Sequence, residues 1–209
     1  MKLTFRLAVF ASFLALASCT TTRLVSVDDS KSGNVVVSLR EKIVEDDASL
    51  GFPSVTTVTF QRVGESGNAT IANRLPQTTG YARPDFGDEK TERGQVFMLR
   101  LPAGTWRFDS WKLSYDGAWT TEFFHDFAPL TFEVRPGETS YIGSIEMSYS
   151  VTPSQRNLPQ VEEITTKLAD RSTVDLPVLK GKHPNVAVQS VQLDVIRTSG
   201  DLAVVHSAR

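Results

Sequence analysis

Leu130-Thr131-Phe132-Glu133-Val134-Arg135-Pro136-Gly137-Glu138-Thr139-Ser140-Tyr141-Ile142-Gly143-Ser144-Ile145-Glu146-Met147-Ser148-Tyr149 is the stretch on which the fold turns. Leu130, Phe132 and Val134 alternate with Thr131, Glu133 and Arg135. Tyr141, Gly143, Ile145, Met147 and Tyr149 then alternate with Ile142, Ser144, Glu146 and Ser148. A period of two marks strands with one buried face. Between the two runs, proline presets φ and glycine supplies φ > 0, so Pro136-Gly137-Glu138 reads as a tight turn between antiparallel strands.

The same period recurs on either side. Val35, Val37 and Leu39, with Ile43 beyond, form one run, and Val58 with Phe60 another. Phe97, Leu99 and Leu101 alternate with Val96, Met98 and Arg100, and Pro102-Ala103-Gly104 follows as a second tight turn. Trp106/Phe108 and Trp111/Leu113/Tyr115 lie in opposite phase, which predicts a bulge near Asp109-Ser110. Val191, Leu193 and Val195 mark a strand within 186–196, and 201–209 reads as a last short strand or a frayed tail. Many short strands joined by turns predict a mainly β fold, an antiparallel sandwich of immunoglobulin-like or prealbumin-like type. The exception is helical. Val161, Ile164 and Leu168 are spaced i, i+3, i+7, which predicts a helix over Pro159–Ala169. Pro177 and Gly181 bracket a second short turn at 175–180, so the helical insertion is expected at about 159–181.

Two segments carry a family resemblance. They are Phe97-Met98-Leu99-Arg100-Leu101-Pro102-Ala103-Gly104-Thr105-Trp106 and Phe132-Glu133-Val134-Arg135-Pro136-Gly137-Glu138-Thr139-Ser140-Tyr141-Ile142-Gly143. The pair resembles bacterial envelope lipoproteins with a transthyretin-like or carboxypeptidase-regulatory-like β-sandwich. The resemblance spans about a quarter of the chain, 95–150. It implies that the first turn closes a hairpin and the second leads into a central core strand. It carries over no catalytic residue, because the pattern consists of turn and core positions.

The N-terminus gives an address. Lys2 and Arg6 precede an apolar run over 7–16, too short to span a bilayer, and Leu16-Ala17-Ser18-Cys19 follows. This resembles a lipoprotein signal peptide (1–18) with its lipobox. The resemblance implies cleavage between Ser18 and Cys19 and acylation of Cys19, the one cysteine in the chain. Two or three acyl chains hold a protein stably at a membrane, each buried methylene contributing about 0.8 kcal/mol. Thr20, rather than Asp, follows the cysteine. By the same resemblance this favours the outer membrane and its periplasmic face. The polar stretch 20–34 reads as a tether that extends tens of ångströms at about 3.3 Å per residue. The sandwich is then one domain over 35–209.

Removing residues 1–18 leaves 191 of 209 residues, and loss of Lys2 and Arg6 takes the formal charge from −2 to −4. That balance gives no case for nucleic acid. With Cys19 committed to lipid, no disulfide is available, and an apolar content of 40% must supply the core.

No residue pattern specifies a reaction, a cofactor or a metal. The three histidines, His125, His183 and His206, lack metal-ligand spacing, and no G-x-S-x-G elbow occurs. His183 reads as a solvated loop residue; His125-Asp126 reads as structural, with catalysis as the alternative. Asp85, Asp88, Glu89 and Glu92 interleave with Arg83, Lys90 and Arg93 over 74–94, which reads as a solvated, mobile loop rather than a calcium site. Trp119, Phe123, Phe124 and Phe127 form an aromatic cluster between two strand candidates. It is the candidate partner surface, with core packing as the alternative. These features lead to a non-enzymatic, lipid-anchored binding or scaffolding module with an envelope protein partner. An envelope hydrolase, or a carrier of a small ligand or glycan in a pocket lined by Trp119 and Phe123, are the alternatives.

Overall fold

The computed structural model describes residues 29–44, 54–74, 84–87, 92–115, 121–126, 130–153, 159–187, 191–193 and 201–206. A 3₁₀ turn at Asp29–Lys31 leads into β1, Ser32–Ile43. Then come β2 (Ser54–Arg62), β3 (Asn68–Arg74), β4 (Phe86–Gly87), β5 (Glu92–Pro102), β6 (Gly104–Tyr115), β7 (Thr121–Asp126) and β8 (Thr131–Val134). β9 (Thr139–Pro153), β10 (Pro159–Ala169), α1 (Ser172–Lys182), β11 (Val191–Leu193) and β12 (Asp201–His206) complete the order.

The strands form two sheets packed as a sandwich, as the period-two pattern predicts. The larger has the order β12-β10-β9-β1-β5-β4, with β11 beside the first residues of β9. The smaller has the order β3-β2-β6-β7, with β8 also paired to β6. β9 runs parallel to β1 and β11, and the other pairings are antiparallel. Val35, Val37 and Leu39 meet Val58, Phe60, Trp111 and Leu113 in one buried cluster between the sheets. Phe60, Phe108 and Phe132 pack edge-on there, with ring centroids 5.2, 5.9 and 5.7 Å apart. Each such pair contributes about 0.5–1.5 kcal/mol beyond its buried area. The bulge in β6 is where the sequence places it: Thr59 pairs with Ser110 and Phe60 with Phe108, leaving Asp109 extra.

Both proline-glycine turns cross between the sheets, and the second leads into a central strand as expected. Pro102-Ala103-Gly104 joins β5 of the larger sheet to β6 of the smaller, and Pro136-Gly137 joins β8 of the smaller to β9 of the larger. Neither closes a hairpin. The residues dictate a reversal of direction, and that is equally served by crossing between sheets. Each crossing is pinned by the start of β1. Ala103 N–H donates to Lys31 O at 2.8 Å, and Gly137 N–H donates to Ser32 O at 2.8 Å. Gly33 permits the second contact, since a Cβ there would lie 2.2 Å from Arg135 O. β1 therefore begins three residues inside the stretch read as tether. β9 is central to its sheet.

The helix expected over Pro159–Ala169 is instead β10, paired on both sides. A bulge accounts for the difference. Val161 pairs with Val151 and Ile164 with Tyr149, so three steps on β10 match two on β9. This bulge shifts the apolar phase by one residue, and a phase slip in a strand imitates i, i+3 spacing. After it, Ile164, Thr166 and Leu168 are buried at a period of two. A second slip lies in β9. Val36 pairs with Tyr141 but Ser38 with Ser144, so β9 carries an extra residue beside Gly143, whose φ is +114°. Tyr141 therefore faces away from the sandwich core, whereas Ile145, Met147 and Tyr149 face into it.

The real helix is α1, longer than the turn expected at 175–180. It begins at Ser172, where Asp170 Oδ1 accepts from Ser172 N–H at 2.9 Å, and ends with His183 N–H on Leu179 O at 2.7 Å. Pro177 sits inside it rather than in its first turn, and Gly181 lies before its end. α1 covers the outer face of the larger sheet. Leu179, Leu176 and Val178 pack on Val36, Val96, Tyr141, Met98 and Phe86. That cover explains why Val35-Val36-Val37 and Val96-Phe97-Met98 are apolar on both faces.

Candidate functional site

Beside the start of the helix, the outer face of the larger sheet turns polar. Strand register lays two rows across it. In one row Glu92 of β5 stands opposite Lys42 of β1, followed by Ser148 of β9 and Thr165 of β10. In the other, Gly94, Arg40, Glu146 and Lys167 are neighbours. Arg171 and Val174, at the start of α1, form a wall above this floor. Arg40, Lys42, Glu92, Glu146, Ser148, Lys167, Arg171 and Val174 line the resulting open cleft of about 360 Å³.

Glu146 is the most heavily bonded of these groups. Arg171 Nε donates to Glu146 Oε1 at 2.6 Å and Lys167 Nζ to Oε2 at 2.9 Å. Burial alone raises this carboxyl's pKa, but the bonds from Arg171 and Lys167 outweigh it and hold the group below the usual carboxylate range. Arg171 is held more firmly protonated in turn, chiefly by its bond to Glu146. Glu146 is 12% exposed, whereas Arg171 and Lys167 are 49% and 52% exposed. Both cations line the cleft. Lys42 is exposed, with no ion-pair partner among the described residues.

A buried clamp fixes the wall. Asp175 of α1 has no exposed surface and accepts three bonds: from Ser38 Oγ at 2.6 Å, Arg40 Nη2 at 2.6 Å and Tyr141 OH at 2.7 Å. The Arg40 guanidinium also lies 3.6 Å from the centre of the Phe86 ring. Gly94, between them in the ladder, has no side chain to intervene. Tyr141 OH accepts from Arg171 N–H at 3.2 Å, so one phenol ties the clamp to the cleft wall. Burial and the bond to Asp175 push this phenol's pKa well above its ordinary value.

A second buried pair closes the adjoining end of the sandwich interior. Arg93 donates to Glu41 Oε2 through Nε at 3.0 Å and Nη2 at 2.5 Å, and Asn73 Nδ2 donates to Glu41 Oε1 at 2.8 Å. Glu41 and Arg93 are 0% and 1% exposed.

Neither network was anticipated among the candidate residues. Arg93, read as part of a solvated loop, is a core residue. Asp85 of the same stretch is also pinned: its Oδ2 accepts from Val96 N–H at 2.7 Å and from Lys182 Nζ at 2.9 Å. Asp88 and Glu89 lie outside the described residues. One signal for Glu41 was present, since it continues the inward parity of Val35, Val37 and Leu39, and an acid at such a position calls for a buried partner. Of the sequence-predicted sites, Ser18, Cys19, Trp119 and Phe127 lie outside the described residues. Phe123 and His125 stand in β7 opposite Leu113 and Trp111, and Phe124 opposite Lys112. His183 follows α1 and is half-buried. Among the described residues, no group of three or more His, Cys, Asp and Glu is placed to hold a metal ion. Among the same residues, no helix is long and apolar enough to cross a membrane.

No family model and no curated protein matches the chain. Among solved structures, a leucine-rich repeat protein from Bacteroides thetaiotaomicron is similar over 59% of this chain and 15% of its own, at 13% identity and a TM-score of 0.36. The human-specific toxin intermedilysin is similar over 68% of this chain and 24% of its own, at 13% identity and a TM-score of 0.18. The chain thus spans less than a quarter of either protein.

Proposed function

We propose that this chain is a lipid-anchored bacterial envelope protein, acylated at Cys19, whose sandwich domain binds another envelope component without catalysing a reaction. The observation that carries the binding role is the division of its charged groups. Asp175, Glu41 and Arg93 are consumed in buried structural bonds, while Lys42, Lys167 and Arg171 line an open cleft with Glu92 and Glu146 and outnumber them by one charge. Glu146, with both oxygens occupied and its pKa held low, is poorly suited to general-base work. That favours binding over hydrolysis. The lipobox resemblance of Leu16-Ala17-Ser18-Cys19 supports an anchor at the outer membrane, on its periplasmic face.

The test is purification of the full lipoprotein from gently solubilised native membranes, with mass spectrometry of the N-terminal peptide and of co-eluting proteins. An acylated Cys19 and a stoichiometric envelope partner are expected. The partner should be lost from Cys19→Ala, which removes the anchor, and from the double variant Lys42→Glu/Lys167→Glu, which inverts the cleft. An unmodified Cys19 with a partnerless elution overturns the proposal.

A further inference from the structure

We infer that the cleft is a binding site for a phosphate-type oxyanion, seated over Ser148 between Lys42, Lys167 and Arg171. The inference rests on the reading of this cleft as the binding surface, and names the chemistry it recognises. Three observations on the cleft support it.

The first is placement. Ser148 lies in the floor, beside Lys42 in its own row and diagonal to Lys167 in the next. With strands about 4.8 Å apart and residues about 3.4 Å apart along them, the Lys42 and Lys167 Cα atoms are roughly 12 Å apart. Two lysine side chains reaching inward across that span converge on one small anion. Arg171 approaches from the α1 side, and a guanidinium presents a planar fork suited to paired oxyanion oxygens.

The second is the occupant already there. Glu146 is a carboxylate held by two cations, Arg171 and Lys167. Both cations thus already converge on one carboxylate. It uses one of the five N–H donors of Arg171 and one of the three of Lys167, leaving the rest for a ligand.

The third is that Lys42 and Lys167 are not what holds α1 to the sheet. Half-exposed ion pairs contribute about 0–1 kcal/mol. The clamp through Asp175 already fixes α1 without Lys42 or Lys167. Among the outward groups Lys42, Lys167 and Arg171 exceed Glu92 and Glu146 by one positive charge, which suits an anion that carries a phosphate-type group. Free phosphate and a phospholipid headgroup share this chemistry.

The experiment uses the full chain carrying Cys19→Ala, purified in detergent and exchanged into chloride buffer of fixed ionic strength. Inorganic phosphate binding is read by calorimetry. Vesicles of phosphatidylcholine with and without phosphatidylglycerol form the second arm. Saturable phosphate binding is expected. Lys167→Ala and Arg171→Ala should each weaken it by about tenfold, the scale of a charge-assisted bond. Glu146→Gln removes the internal competitor and should tighten it severalfold, an effect a purely structural ion pair does not produce. Thermal unfolding of each variant reports that it is folded. Binding to phosphate alone identifies a soluble ligand; binding that requires phosphatidylglycerol identifies a headgroup. Absence of binding in both arms, with wild type and Glu146→Gln folded, overturns the inference. If Lys42→Glu/Lys167→Glu still abolishes partner co-elution in that case, the binding reading stands and the oxyanion chemistry falls. If phosphate binds but that variant keeps its partner, the cleft is a ligand site and the partner contacts another surface.

Discussion

Replacing Asp175 by Asn should loosen α1 from the sheet more than any other single change in the helix. Asp175 accepts three bonds of 2.6–2.7 Å with no exposed surface of its own. Counted singly, bonds to a charged group contribute about 1.5–3 kcal/mol each, but three bonds on one carboxylate are not additive. The deciding term is Arg40, which the variant leaves as a cation with 14% exposure and no counter-charge. Removing one partner of a buried pair costs about 3–5 kcal/mol. The lower end applies, because the Phe86 ring 3.6 Å away still favours the cation and Asn retains one acceptor oxygen. Against a total stability of about 5–15 kcal/mol the loss is large. In urea, with a slope of about 2 kcal/mol per molar, the midpoint should fall by about 1.5 M. Hydrogen exchange should show where the change acts, with α1 amides exchanging faster than those of β1 and β9. The double variant Arg40→Met/Asp175→Leu, which removes both charges, should recover most of the loss. A midpoint for Asp175→Asn within about 0.3 M of wild type, the range of an ordinary surface substitution, would refute the clamp.

Three further outcomes follow from the same physics. Glu41→Gln leaves Arg93 buried beside a neutral group and should lose about 3–5 kcal/mol in the same unfolding assay; parity with wild type would mean the pair contributes nothing to the folded state. Gly33→Ala places a Cβ 2.2 Å from Arg135 O, so the sheet crossing must shift; a loss of about 1–3 kcal/mol is expected, and an unchanged midpoint would show that the crossing yields freely. Tyr141 has a raised pKa when folded, so its contribution to stability is whole below about pH 10, where the phenol of the unfolded chain ionises, and declines as pH rises past that value. Urea midpoints taken at about pH 8 and about pH 11 should therefore separate more for wild type than for Tyr141→Phe, and equal separations would contradict the assignment.

The architecture was legible in the sequence wherever one face of a strand stayed in one phase. β2, β5 and β8 read directly, and so did the bulge at Asp109, because Trp106/Phe108 and Trp111/Leu113 are large enough to mark both phases. β10 was misread because its bulge falls between Val161 and Ile164, the two residues whose spacing suggested a helix. The face of Tyr141 was misassigned for the same reason, through the bulge beside Gly143. Turn residues show where the chain reverses but not whether it pairs with itself, so the turn at Pro102 reads as a hairpin where the chain in fact changes sheet. The cleft was illegible for a different reason. Lys42, Glu146, Lys167 and Arg171 come from separate segments, and only register across β1, β9 and β10 unites them. Asp175 gave no local sign of burial, since its partners Ser38, Arg40 and Tyr141 are distant in sequence.

The claim that this cleft is the working surface is tested most directly by photocrosslinking in native membranes. A photoreactive residue replaces exposed Val174 at the cleft rim in one strain, and exposed Gly67 on the smaller sheet's turn in another. A discrete adduct from position 174, absent from position 67 and suppressed by Lys42→Glu/Lys167→Glu, is expected. An adduct from position 67 with none from position 174 would contradict the account and move the binding surface to the other sheet.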